Sequence, residues 1–250
     1  FSLSESTGLH IGEINGGSLR NAIPRESVAV VAVSAGDEGK LMSGLDQLKK
    51  DITFEFKTTE PGLQIVAEEC PAPSKVLSVA DGKKLLRMIY AAHNGVYRMS
   101  ADIKDLVETS NNVAKVTVGN GSIQVACLTR SSVESSKMDL ADALKSVFEL
   151  GGCQVSFGGS YPGWTPNVDS PILKVLVNIY ERQHGHKPEV VACHAGLECG
   201  ILGRNYPGMD MISFGPTILG AHSPDERVSI SSVQKYWKYV LEILKEIPVK

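Results

Sequence analysis

The stretch Met209-Asp210-Met211-Ile212-Ser213-Phe214-Gly215-Pro216-Thr217-Ile218-Leu219-Gly220-Ala221-His222-Ser223-Pro224-Asp225-Glu226 decides how the C-terminal part of the sequence is read. Its apolar run over 209–214 reads as a buried strand, and the Gly/Pro loop that follows carries a single histidine. An amphipathic stretch, 229–247, then reads as a closing helix. A buried strand that delivers a histidine to a loop before a helix is how α/β enzymes present a metal ligand or an acid/base group. Upstream, Cys193-His194-Ala195-Gly196-Leu197-Glu198-Cys199-Gly200 forms a second loop, with Glu198 among glycines. Together the two loops read as half of an active site.

Outward from these loops, 170–182 reads as a helix and Val190-Val191 as a strand, so the region from about 160 onward has an α/β pattern. Two strands cannot make a doubly wound sheet alone. They are expected to join strands lying elsewhere, in chain N-terminal to residue 1. The segment Gly158-Gly159-Ser160-Tyr161-Pro162-Gly163-Trp164-Thr165-Pro166 is dense in Gly and Pro and marks a boundary. Before it, strands are expected at 9–14, 28–33 (covered on both faces), 63–68 and 153–157, and helices at 38–50, 74–92 and 138–150. Strands over 113–118 and 123–128 flank Gly119-Asn120-Gly121, a strong hairpin signal. The expected fold is therefore α/β overall. An α+β domain with a largely antiparallel sheet (1–159) precedes the α/β portion (160–250).

Composition narrows the function. Hydrophobic residues make up 42% and charged residues 21%, as in a globular chain with a real core. The net charge of −3 and the lack of a basic run give nucleic acid nothing to bind. No apolar stretch approaches the roughly 18 residues that span a bilayer, so no membrane partner is expected. The start, Phe1-Ser2-Leu3-Ser4, has no signal-peptide pattern and no initiator Met, which suggests that residue 1 is not the natural start. Five cysteines without a C-x-x-C pair fit reduced thiols and a cytoplasmic location.

Several residues carry chemistry, each with a plainer reading beside it. His222 reads as a metal ligand or acid/base group, with Asp225 or Glu226 able to orient its ring, or as surface. Glu198 is either a carboxylate aimed at a substrate amine or metal, or a favourable charge at a helix N-terminus. A zinc cluster of Cys193, His194, Glu198 and Cys199 is disfavoured, because Cys193 is expected to point inward as a small hydrophobe. Arg130 ends a hairpin strand, and Arg20 and Asn21 follow the Gly16-Gly17 turn. An arginine there is either solvated or a bidentate carboxylate clamp. There is no G-x-S-x-G, no H-E-x-x-H, and Gly36-Asp37-Glu38-Gly39-Lys40 lacks Walker A spacing.

Five strings carry a resemblance: Asn15-Gly16-Gly17-Ser18-Leu19-Arg20-Asn21-Ala22-Ile23-Pro24-Arg25-Glu26, Tyr161-Pro162-Gly163-Trp164, 194–200, Tyr206-Pro207-Gly208-Met209-Asp210-Met211 and 220–226. They resemble the bacterial aminoacyl-histidine (Xaa-His) dipeptidases of the M20 clan of zinc peptidases, and match the C-terminal half of that family's sequence. The resemblance implies a lid and dimerisation domain over 1–159 whose N-terminal part is missing. Residues 160–250 would then be the C-terminal portion of the catalytic domain. It implies His222 as a metal ligand and Asn21, Arg130, Gly196 and Glu198 as substrate-binding positions. It implies two Zn²⁺ per full-length subunit, or other divalent metals, together with dipeptide substrates and a homodimer formed through the lid. The general base and remaining ligands would lie outside this sequence, so the 250 residues alone are expected to be inactive. The alternatives are another M20 amidohydrolase, such as an aminoacylase or tripeptidase, and a non-catalytic dimerisation module.

Overall fold

Along the chain the computed structural model places α1 (Ser2–Ser6), β1 (His10–Gly16), β2 (Ser27–Ala32), α2 (Glu38–Phe56), α3 (Val79–Ala91), β3 (Gly95–Met99), β4 (Val107–Gly119) and β5 (Ser122–Ser131). Then follow α4 (Glu134–Leu150), α5 (Pro171–His184), α6 (Glu198–Asn205), β6 (Ile218–Leu219), β7 (Arg227–Val228) and α7 (Ile230–Glu246). The structure describes residues 1–194, 197–221 and 225–247. By contacts the chain divides into two compact units. One comprises Phe1–Arg98, Ser110–Thr129 and Met138–Phe157, and the other Met99–Thr109, Arg130–Lys137 and Gly158–Lys250.

The first unit is built on the sheet. Asn120 and Gly121 take φ of 50° and 76°, the positive angles of the tight turn that the Asn-Gly pair predicts. β1 runs antiparallel to β2 and to β4, in a five-stranded sheet of order β2-β1-β4-β3 with β5 paired to β4. The expected α+β pattern with an antiparallel sheet is what forms. Leu85, Met88 and Ala92 of the α3 region and Leu140, Leu144 and Phe148 of α4, at helical spacing, pack with Ile11 and Val118. Each of these side chains larger than Ala92 contributes about 1.5–3 kcal/mol by leaving water.

Three expectations fail in this unit. Residues 63–68 and 153–157 form no strand, because apolar alternation needs a neighbouring strand to pair with and neither segment has one. Val66 is accordingly 68% exposed. Among the described residues β2 is an edge strand paired with β1 alone, and Val28 is 65% exposed, so it is not covered on both faces. The helix expected from residue 74 starts at Val79: Ser78 accepts the Asp81 N–H, while the Leu77 N–H is spent on the Ile11 carbonyl. β3 carries an all-exposed pattern and had no periodicity to announce it.

In the second unit α5 and α7 pack through Leu176, Ile179 and Ile243. Ser170 caps α5, Pro171 occupies its first turn, and Gly185 ends it at φ 75°. Residues 190–191 and 211–214 are unpaired among the described residues, and the two-residue β6 and β7 pair with each other instead. Having no strand beside them, the two apolar segments help to wall an open cavity of about 1480 Å³ lined by Trp164, Leu176, Tyr180, Phe214 and Tyr239. That exceeds the roughly 300–1,000 Å³ of a small-ligand pocket. Among the described residues no helix is long and apolar enough to cross a membrane.

Candidate substrate-binding site

Arg130 is the penultimate residue of β5, half-buried, and its exit from the sheet is held by polar contacts. Beyond it, the Ser132 N–H donates to the Glu108 carbonyl at 3.1 Å. Ser131 Oγ lies 2.8 Å from Thr109 Oγ1 and accepts the Val133 N–H at 3.0 Å. Thr109 in turn donates to Ser136 Oγ at 3.0 Å, and all three hydroxyls are buried.

The Gly/Pro segment read as a boundary docks onto this turn. Lys137, itself buried, donates to Glu134 Oε2 (2.8 Å), Ser160 Oγ (2.9 Å) and the Tyr161 carbonyl (2.6 Å), using all three ammonium protons. The Gly163 N–H donates to the same Glu134 oxygen at 3.0 Å, and Thr165 Oγ1 to the Ser132 carbonyl at 3.2 Å. Burial would raise the Glu134 carboxyl. The hydrogen bonds from Lys137 and Gly163 and the charges of Lys137 and Arg204 outweigh it and hold the group below its usual range. A Cβ on Gly163 would stand 2.6 Å from the Ser132 carbonyl oxygen, and one on Gly200 would collide with the Pro162 carbonyl. These two glycines let the Arg130 turn, the 160–165 loop and α6 stack in close contact.

His194 completes the arrangement within this unit. Burial, followed by the charge of Arg130, lowers the imidazole's pKa and keeps it neutral. Glu198 is the first residue of α6 and exposed, where its charge complements the helix N-terminus. It also helps to raise the Cys199 thiol, after burial as the larger cause. Cys193 is exposed and not in a strand, so the expectation that it points inward fails.

The structure therefore brings Arg130 close to His194 and packs the 160–165 loop against both the Arg130 turn and α6, which Glu198 opens. Asn21 is exposed in the β1–β2 loop of the other unit, where Asn112 Nδ2 holds the flanking carbonyls of Arg20 (3.3 Å) and Ala22 (2.8 Å). His10 is engaged at Nδ1 with the Leu77 carbonyl. Gly196 and His222 lie outside the described residues. Sequence reasoning missed Glu134 and Lys137. The available signal was a lysine at 137, on the same helical row as Leu140 and Leu144.

The described residues do not themselves make a metal site: they hold no group of three or more His, Cys, Asp and Glu placed to bind an ion.

A guanidinium beside an imidazole of lowered pKa is chemically able to hold a carboxylate through paired hydrogen bonds. The chain belongs to the peptidase family M20/M25/M40, whose pattern matches residues 7–246. It is 39% identical over 247 residues to the cytosol non-specific dipeptidase of Escherichia coli (strain K12), covering 99% of this chain and 51% of that protein. The crystal structure of aminoacylhistidine dipeptidase from Vibrio alginolyticus matches with a TM-score of 0.89 and 40% identity, over 99% of this chain and 50% of that one. The chain thus spans about half the length of each of these two relatives.

Proposed function

We propose that this chain supplies the substrate-gripping part of a metal-dependent dipeptidase of broad specificity that accepts Xaa-His dipeptides. The observation that best supports this is Arg130, set by a buried polar turn beside a neutral His194. A guanidinium fork holds a C-terminal carboxylate through two parallel hydrogen bonds. Gripping that end fixes the peptide's length and aligns its one amide bond for attack. Both relatives are dipeptidases by name, which favours this reading over an aminoacylase or tripeptidase.

In this proposal residues 1–159 act as the lid and dimerisation domain and 160–250 as the C-terminal portion of the catalytic domain. Asn21, Arg130, Gly196 and Glu198 are its substrate-binding positions. The family resemblance adds two zinc ions with His222 as one ligand. No step described passes through them, because the described residues do not assemble the rest of a donor set. A homodimer and a cytoplasmic location belong to the same proposal, the latter supported by the E. coli relative's name.

The test is hydrolysis by the full-length protein of β-Ala-His, other dipeptides, a tripeptide and an N-acetyl amino acid, with Zn²⁺ and after chelation. Dipeptides alone should be cleaved, and chelation should abolish cleavage. Preferred cleavage of the N-acetyl substrate or the tripeptide would overturn the substrate assignment. Residues 1–250 alone, given Zn²⁺, should leave β-Ala-His intact, since a single ligand cannot hold a two-metal centre. A metal-free dimer without activity in the full-length protein would favour the assembly module instead.

A further inference from the structure

Nine polar residues are buried among the described ones, and five of them, Thr109, Ser131, Ser132, Ser136 and Lys137, fall in the single knot behind Arg130. Folding alone does not call for a lysine there. Position 137 continues the α4 row of Leu140 and Leu144, where an apolar side chain would extend the core. The lysine's ion-pair partner Glu134 is 55% exposed, and a pair so open to water is weak as a stability device. Its bonds are specific instead. Lys137 holds Ser160 and the Tyr161 carbonyl, Glu134 holds the Gly163 N–H, and Thr165 returns to Ser132, two residues past Arg130. Gly200 of α6 then stacks on Pro162. One hydrogen-bonded network thus locks the turn to the 160–165 loop, against which α6 packs closely, and such a network specifies a single geometry.

We infer that Glu134 and Lys137 are positioning residues: they lock the turn after Arg130 to the 160–165 loop and α6, and so aim the guanidinium that receives the substrate carboxylate. The inference rests on the reading of Arg130 as the carboxylate grip. It predicts a defect in substrate choice rather than a uniform loss, because a displaced guanidinium penalises only substrates with a free carboxylate.

The experiment measures kcat/KM of the full-length protein for a dipeptide and for the same dipeptide's C-terminal amide. Lys137→Met should lower the acid-over-amide preference about tenfold or more, mainly through KM, while the protein still unfolds cooperatively. Lys137→Arg should restore part of the preference. In an Arg130→Gln background, adding Lys137→Met should change the preference no further. Equal slowing on acid and amide, or an unchanged preference, would overturn the inference. If Arg130→Gln itself leaves the preference intact, the grip reading fails. The NMR titration of His194 in residues 1–250 then decides the positioning role alone. Lys137→Met should move the midpoint upward, toward that of Arg130→Gln; an unmoved midpoint would overturn it.

Discussion

A neutral imidazole at position 194 follows from its neighbours: burial removes water from the charged form, and Arg130 repels a second positive charge. The folded value lies below the ordinary 6.5, so near that pH the unfolded chain binds a proton that the folded chain refuses. Stability is therefore undiminished above about pH 6.5. It is lost as pH falls from there, the loss being complete below the folded value. Urea denaturation across this window should show wild type losing stability faster than His194→Gln; parallel pH profiles would contradict the assignment. Arg130 and Glu198 were legible at this scale because charged residues at element ends stand out of an apolar pattern. Lys137 was not, since its value lies in partners 23 and 24 residues away that no local pattern announces.

Between elements, the α5–α7 pair shows how one polar group can sit in an apolar contact. The Tyr239 hydroxyl donates to the Leu176 carbonyl at 2.6 Å, beside Leu176, Ile179 and Ile243. Burial, followed by the proximity of Tyr180, pushes its pKa up to about 12 from 10.0. An acid whose folded value is raised keeps its contribution below pH 10.0 and loses it as pH climbs toward about 12. Tyr239→Phe should cost about 1 kcal/mol at neutral pH and flatten the alkaline side of the stability profile, as read by denaturant titration. At the site, Gly163→Ala should do more harm than an ordinary loop substitution. Its Cβ would meet three backbone atoms, the Ser132 oxygen at 2.6 Å, the Ser132 carbonyl carbon at 2.9 Å and the Glu134 nitrogen at 3.2 Å, and backbone yields less than a side-chain tip. A melting temperature lowered by several degrees is the expected outcome. The helices with apolar rows, α4, α5 and α7, and the Asn120-Gly121 turn were legible because their signals are local. Residues 63–68 and 153–157 misled because strand formation depends on a partner, which local alternation does not reveal.

For the molecule as a whole, the sequence strings that resemble the dipeptidases agree with a family match over residues 7–246. Half of each relative's length has no counterpart here, so the catalytic residues expected beyond this sequence have no signal in it. In the proposed reading, the chain's own share is the carboxylate grip at Arg130. The most direct measurement is kcat/KM of the full-length protein with saturating Zn²⁺ for a dipeptide and its C-terminal amide, in wild type and Arg130→Gln. Wild type should prefer the free acid by roughly a hundredfold, and Arg130→Gln should lose most of that preference while still cleaving the amide. No dipeptide cleavage by wild type, or a preference untouched by the substitution, would contradict the account.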